Sequence, residues 1–248
     1  MSVQRVVELW RYPVKSMQGE RLTEAQVDEC GITGDRQWAV VDLDTGLGLT
    51  AKREPRLLFA SARVVEAGAG IDVAITLPDG VTVTGESQAS TVLEDWLGRP
   101  VELRRASPEV APTFEIAADF EAEHDSQLFQ WSGAPGTFHD STKTRLSFAA
   151  LAEMRDWAPR RFRMNVLLSG PSSRPLVGHH VAVGSVEVDF TKHIDRCIIV
   201  TRPQPADVER NLDVLRTINT EMSGELGAGS MISRVGRIAI DDELVVLP

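Results

Sequence analysis

Pro78-Asp79-Gly80 stands between two β-rich runs, 71–77 and 81–84, and commits this part of the chain to a hairpin. Proline presets a turn dihedral, Asp hydrogen-bonds nearby backbone, and Gly accepts the positive φ that a tight reversal needs. The surrounding sequence reads as further strands. Residues 3–10 form a β-rich run stopped at Pro13, 37–42 alternate into a turn at Asp44-Thr45-Gly46, and 59–65 and 101–105 follow. One short helix is expected from Ser90, as N-cap, to Leu97, with Gly98 as its stop.

After residue 105 the texture changes. Residues 107–142 carry scattered Pro, Gly and acids (Asp119, Glu121, Glu123, Asp125) without a clean period, and read as a linker or long loop. Beyond them, 147–157 place Phe148, Leu151, Met154 and Trp157 on one helical face. Strands are expected at 162–168, 181–190, 194–201 and across 231–247, the last with a turn at Asp241-Asp242. The clearest helix runs from about 206 to 222, where Val208, Leu212, Leu215, Ile218 and Met222 recur at helical spacing. Strand-dominated halves with few helices predict a mostly β or α+β architecture of barrel type.

The 248 residues suffice for one large or two modest domains. A net charge of −10 opposes nonspecific attraction to nucleic acid or to an anionic membrane. Within that acidic whole, cations gather in short runs: Arg11 with Lys15, then Lys52, Arg53 and Arg56, then Arg160, Arg161 and Arg163. They could converge on one small anion, although a solvated face is the commoner use of any single run. Cys30 and Cys197 lack a C-x-x-C spacing, which excludes a self-contained thiolate zinc or iron–sulfur site and fits a reducing compartment. No signal-peptide pattern opens the sequence, and no apolar run nears the roughly 18 residues of a membrane span. A cytoplasmic location is expected.

Four segments carry candidate chemistry. In Tyr12-Pro13-Val14-Lys15-Ser16 the proline takes the chain out of its strand and presents an ammonium beside a hydroxyl, a pairing suited to phosphate. In Gly34-Asp35-Arg36-Gln37-Trp38, Arg36 offers a bidentate fork, or else simply pairs with Asp35. If Arg161-Phe162-Arg163-Met164-Asn165 is extended, then Arg161, Arg163 and Asn165 share a face, and an anion would relieve the repulsion between the two cations. Likewise His193, Asp195 and Cys197 would share a face, with the thiol at the mouth of an Ile-Ile-Val run. On composition alone, a small core hydrophobe is the stronger reading of Cys197. The sequence contains no G-x-S-x-G, H-E-x-x-H or P-loop pattern.

In this order the segments resemble the MOSC family (molybdenum-cofactor sulfurase C-terminal domain) together with its N-terminal β-barrel partner. Tyr12 to Ser16 and the stretch 34–57, with Thr50-Ala51-Lys52-Arg53-Glu54-Pro55-Arg56-Leu57, resemble the N-terminal domain. Arg161 to Asn165 and Arg196-Cys197 resemble the MOSC signatures. The resemblance implies an N-terminal β-barrel domain over 1–115 and a MOSC β-barrel domain with a few helices over 116–248. It implies a molybdenum cofactor (molybdopterin), with Cys197 as the protein thiolate on the metal. Lys15, Ser16, Arg36, Ser147, Arg161, Arg163, Asn165 and Arg196 would bind the pterin and its phosphate. Family associations also include sulfur carriage and pyridoxal phosphate binding.

The family is similar in function to reductases of N-hydroxylated compounds, so the leading expectation is a molybdenum-dependent oxidoreductase. It would act on a small-molecule substrate with electrons from a separate donor protein, since the cysteines for a built-in iron–sulfur domain do not exist. A carrier of sulfur or cofactor through Cys197 is the second reading, and a Cys–His hydrolase using Cys197 and His193 the third. The sequence departs from the family at Met164, where proline is usual, and at Asp195, where serine is common. Asp195 is a catalytic candidate as a proton donor, on condition that its surroundings raise its pKa.

Overall fold

The computed structural model describes residues 4–68, 70–117 and 127–248. The acids at 119–125 lie outside the described residues. The chain begins with β1 (Gln4–Arg11), β2 (Glu20–Leu22), β3 (Glu24–Asp28) and β4 (Gly31–Ile32). Next come β5 (Trp38–Asp42), β6 (Ser61–Ala67), β7 (Gly70–Thr76), β8 (Thr82–Thr84), α1 (Glu86–Leu97) and β9 (Val101–Arg105). The series continues through β10 (Thr113–Ala117), β11 (Leu128–Ser132), β12 (Leu146–Ala150), β13 (Val166–Leu168), β14 (His180–Val183) and β15 (Val186–Asp195). It ends with α2 (Leu212–Glu221), β16 (Glu225–Arg234), β17 (Gly236–Ala239) and β18 (Glu243–Val246). These elements form two compact units from interleaved segments. One comprises Met1–Arg11, Arg21–Thr33 and Thr142–Pro248, and the other Tyr12–Glu20 and Gly34–Ser141.

The first unit is a closed barrel of seven strands, in the order β1, β13, β12, β16, β15, β14, β18 and back to β1. Closure leaves no ladder edge unpaired in the ring. Six neighbouring pairs are antiparallel, and only β12 and β13 run parallel. A parallel pair needs a crossover, supplied here by 3₁₀ turns at Leu151–Met154 and Pro159–Phe162. Inward side chains such as Val6, Leu9, Phe148, Val166, Val188 and Phe190 fill the core. Phe148 and Phe190 meet with ring centroids 4.9 Å apart. Burying each such side chain contributes about 1.5–3 kcal/mol. A second cluster joins Val214 and Ile218 of α2 to Met154, Phe162, Met164 and Val200.

The second unit sets α1 against short sheets, with Ala89, Leu93 and Leu97 packed beside Trp38, Val73 and Ile75. Trp38 Nε1 donates to Glu86 Oε1 at 3.0 Å, and Gly98 closes the helix at φ 64°. Among the described residues no helix is long and apolar enough to cross a membrane.

The mostly β architecture and the hairpin at 78–80 stand as expected; several local readings are corrected. The run 162–168 is not one strand: Phe162 ends a 3₁₀ turn, Arg163 is left-handed at φ 53°, and only Val166–Leu168 is extended. Arg161, Arg163 and Asn165 therefore do not alternate along a strand. Leu146–Ala150 is a strand in place of the expected helix. The strand expected over 194–201 ends at Asp195, and Ile198–Thr201 is a 3₁₀ turn. Helix α2 starts at Leu212 because Ala206 and Asp207 adopt φ of 52° and 63°, and Asn211 accepts a capping bond from the Asp213 amide. Helix α1 starts at Glu86, behind Gly85 and ahead of Ser90. The long loop at 107–142 contains the paired strands β10 and β11.

Candidate functional site

In the barrel unit Cys197 is a free, half-buried thiol. It lies two residues past the end of β15, with an extended backbone (φ −122°, ψ 179°), and leads the 3₁₀ turn Ile198–Thr201. Arg196 holds this position. Its Nε donates to the Leu226 carbonyl at 2.8 Å, Nη1 to the Phe162 carbonyl at 3.1 Å, and Nη2 approaches Met164 Sδ at 2.9 Å. The guanidinium also lies over the Phe162 ring, 5.6 Å from its centroid. Arg196 thus fastens the turn that carries Arg163 to the segment that carries Cys197. The fastening needs Gly227: at φ +90°, an added Cβ there would come within 2.1 Å of Met164 Cε and 2.8 Å of the Phe148 carbonyl.

Arg161 serves the same scaffold. It is buried, and its guanidinium donates to the carbonyls of Val200, Arg202 and Glu209 at 3.2, 3.2 and 2.6 Å. Asn165 is fully buried, with Nδ2 donating to the Trp10 carbonyl at 3.2 Å. Its Oδ1 accepts from Ser147 Oγ at 2.8 Å, while Ser147 Oγ accepts from the Asn165 amide at 3.0 Å. Ser147 and Asn165 satisfy each other and stitch β12 to β13.

Asp195 does not meet the condition set for a proton donor. Its side chain is 75% exposed and pairs with Lys192 Nζ at 2.8 Å. That hydrogen bond, aided by the charges of Lys192 and Arg196, holds the carboxyl below its ordinary value. His193, half-buried on β15, keeps Nδ1 buried without a hydrogen-bond partner.

In the second unit the expected residues gather around a buried ammonium. Lys15 Nζ donates to the Phe138 carbonyl at 3.0 Å and to Asp140 Oδ1 at 2.5 Å, and sits 4.1 Å from the Phe114 ring centroid. Burial lowers the Lys15 pKa, and Lys52 and Arg36 add to this against the opposing pull of Asp140. Lys52, also buried, lies 4.7 Å from the Trp131 ring centroid. Arg36 pairs with Asp35 at 2.5 Å and stacks over Tyr12 at 4.7 Å. Ser16 Oγ accepts from the Ala51 amide at 2.9 Å and keeps its own proton to give. Next to Ala51, the buried Thr50 Oγ1 has no hydrogen-bond partner.

Three of the expected positions are among the eight non-glycine residues with positive φ in the described part of the chain. Ser16, Arg36 and Arg163 adopt φ of 70°, 46° and 53°, in a region costly for side chains of this kind and common where function over-determines the chain. Asp140, Lys52 and Thr50 were not among the expected ligand residues. Lys52 had a signal in the basic run 52–56, whereas Asp140 had none, because its partner Lys15 is 125 residues away.

Comparison with known proteins finds two family models along the chain. Residues 3–122 match the model of the MOSC N-terminal beta barrel domain, and residues 141–245 match the MOSC domain. The human mitochondrial amidoxime-reducing component 1 is 23% identical over 87% of this chain and 71% of its own length. The molybdenum cofactor sulfurase of Drosophila grimshawi is 23% identical over 93% of this chain but only 32% of its own length. Among solved structures, the YUAD protein from Bacillus subtilis covers 98% of this chain at 13% identity, with a TM-score of 0.44. With a MOSC N-terminal beta barrel domain and a MOSC domain matched one after the other, this chain belongs to the MOSC-domain proteins.

Proposed function

We propose that the protein binds a molybdenum cofactor and uses it to reduce N-hydroxylated small molecules with electrons from a separate donor protein. The observation that carries the reading is the basic nest in which the charges of Lys52 and Arg36 act on the buried Lys15 ammonium. Such a nest suits the phosphate of a cofactor, because convergent cations repay the desolvation of an anion. Cys197 offers the soft donor that a molybdenum centre accepts. Among the described residues no group of three or more His, Cys, Asp or Glu is arranged to hold a metal ion, so the remaining ligands would have to come from an organic chelate.

In this reading Lys15, Lys52, Arg36 and Ser16 hold the phosphate. Arg161 and Arg196 spend their donors on carbonyls and act as scaffold, and Arg163 would be the motif cation that contacts the cofactor. Ser147, Asn165, Arg161 and Arg196 position the segments bearing Arg163 and Cys197. When bound, the cofactor supplies a metal able to change oxidation state and accept an oxygen atom from substrate. The names of the two curated relatives, one for amidoxime reduction and one for a molybdenum cofactor, support this class of chemistry.

Metal analysis of protein made in a cofactor-competent host tests the reading. Near-stoichiometric molybdenum is expected, lost in a Cys197→Ala variant that melts like wild type; absence of molybdenum from the wild type overturns it. Reduction of an amidoxime with an artificial electron donor separates an enzyme from a carrier that merely holds sulfur or cofactor.

A further inference from the structure

Lys15 and Asp140 form an unequal pair. The Lys15 side chain is 6% exposed and Asp140 is 66% exposed, so the cation is fixed inside and its counter-ion sits at the rim. The ammonium has two further anchors, the Phe138 carbonyl and the Phe114 ring, which hold it in place whether or not the carboxylate stays. The backbone of Asp140 is tied separately, its carbonyl accepting from Trp131 Nε1 at 3.2 Å. The side chain can therefore swing on χ1 without moving the chain.

Three cations, Lys15, Lys52 and Arg36, act on that one exposed carboxylate, and Arg36 already has Asp35 as its own partner. A carboxylate brings one negative charge, whereas a phosphate brings up to two and a third oxygen. An incoming phosphate, with its three oxygens, can serve Lys15 and Lys52 together.

We propose that Asp140 is a built-in stand-in for the ligand's phosphate: it neutralises Lys15 in the empty protein and must be displaced from it when a phosphate-bearing ligand enters. Asp140 then sets the affinity of the nest and excludes weak anions such as chloride or acetate. This rests on the cofactor reading for the identity of the natural ligand, but not for the displacement itself.

The test is titration of the full chain, prepared in a host that makes no molybdenum cofactor, with inorganic phosphate at low ionic strength. Asp140→Asn should bind phosphate about tenfold tighter than wild type, the scale of one charge-assisted contact no longer competed for. Asp140→Ser should gain similarly, which guards against a folding defect peculiar to one variant. Glu109→Gln, which removes one exposed carboxylate elsewhere in the same unit, should stay within about twofold of wild type if the effect is local. Adding Lys15→Met to Asp140→Asn should abolish the gain. Equal affinity of wild type and both Asp140 variants overturns the proposal, as does an equal gain from Glu109→Gln. Molybdenum content reports separately: a phosphate gain without molybdenum in any preparation sinks the cofactor reading alone, and molybdenum without the gain sinks the displacement alone.

Discussion

Arg196 donates to the carbonyl of Phe162 at 3.1 Å and stacks over the same residue's ring, so the neighbours of Arg163 and Cys197 are joined by one side chain. Arg196→Lys keeps the charge but lacks the planar fork that reaches Leu226 and Phe162 together. It should lose about 1–3 kcal/mol in urea unfolding. Its molybdenum content should fall further than the unfolded fraction explains. Wild-type stability in this variant would remove Arg196 from its positioning role.

Asn165→Leu should destabilise the barrel by about 2–4 kcal/mol, because the Ser147 hydroxyl loses its buried acceptor and the Trp10 carbonyl loses the Nδ2 donor. Ser147→Ala should cost about 1 kcal/mol alone, and less when added to Asn165→Leu. A double-mutant cycle in denaturant measures this. An Asn165 whose work lay solely in holding a ligand would leave the unfolding curve unmoved.

Gly227→Ala should cost more than about 3 kcal/mol, since it combines strained φ with overpacking against Met164 and Phe148. Met164→Ala in the same chain should recover only part of the loss, because the Phe148 carbonyl cannot retreat from its strand pairing. Thermal melts of the three variants decide it, and full recovery would show that the backbone contact is harmless.

Desolvation works to raise the Asp140 carboxyl, but the charges of Lys15, Lys52 and Arg36 and the Lys15 hydrogen bond outweigh it and hold the group below its ordinary value of 3.8. The unfolded chain then takes up this proton first as pH falls. Asp140 contributes stability above the ordinary carboxylate range and loses it progressively below. Unfolding followed from pH 6 down to pH 2 should show a shallower acid limb in Asp140→Asn than in wild type.

His180 titrates in the opposite sense. Hydrogen bonds to Asp189 at 2.8 Å and Glu187 at 3.1 Å, in that order of effect, raise its pKa above 6.5. The stability it lends the β14–β15 hairpin is fully present below 6.5 and disappears as pH rises through the raised value. Its ring carbons followed by NMR should titrate later than those of an unpaired histidine, and Asp189→Asn should bring the midpoint down.

Where short-range chemistry decides structure, the sequence was readable. The turn at 78–80, the strand Val101–Arg105 and the turn at Asp241-Asp242 all follow from local residue types. Tertiary contacts overrode it elsewhere. All five residues of Leu146–Ala150 are buried, so no alternation marks the strand, while Phe148, Leu151 and Met154 happen to fall at helical spacing. Arg163 adopts a left-handed backbone with no glycine to announce it, and this undid the one-face reading of Arg161, Arg163 and Asn165. Motif resemblance marks Arg161, Asn165 and Arg196 as residues of interest, but the backbone carbonyls they bind lie far along the chain and carry no local signal. Arg196 to Leu226 and Asn165 to Trp10 are pairings of that kind.

Strand β1 is flanked in the ring by β13 and β18, with Val6 opposite Leu168 and Gln4 opposite Leu244. During synthesis β1 can pair with β2 almost at once, but its ring partner β13 lies well over a hundred residues further on, and the ring cannot shut before 243–246 are made. For that interval the nascent chain exposes an apolar edge able to pair with other chains. Chaperone dependence of expression, and aggregation on slow translation, are the vulnerabilities this connectivity builds in.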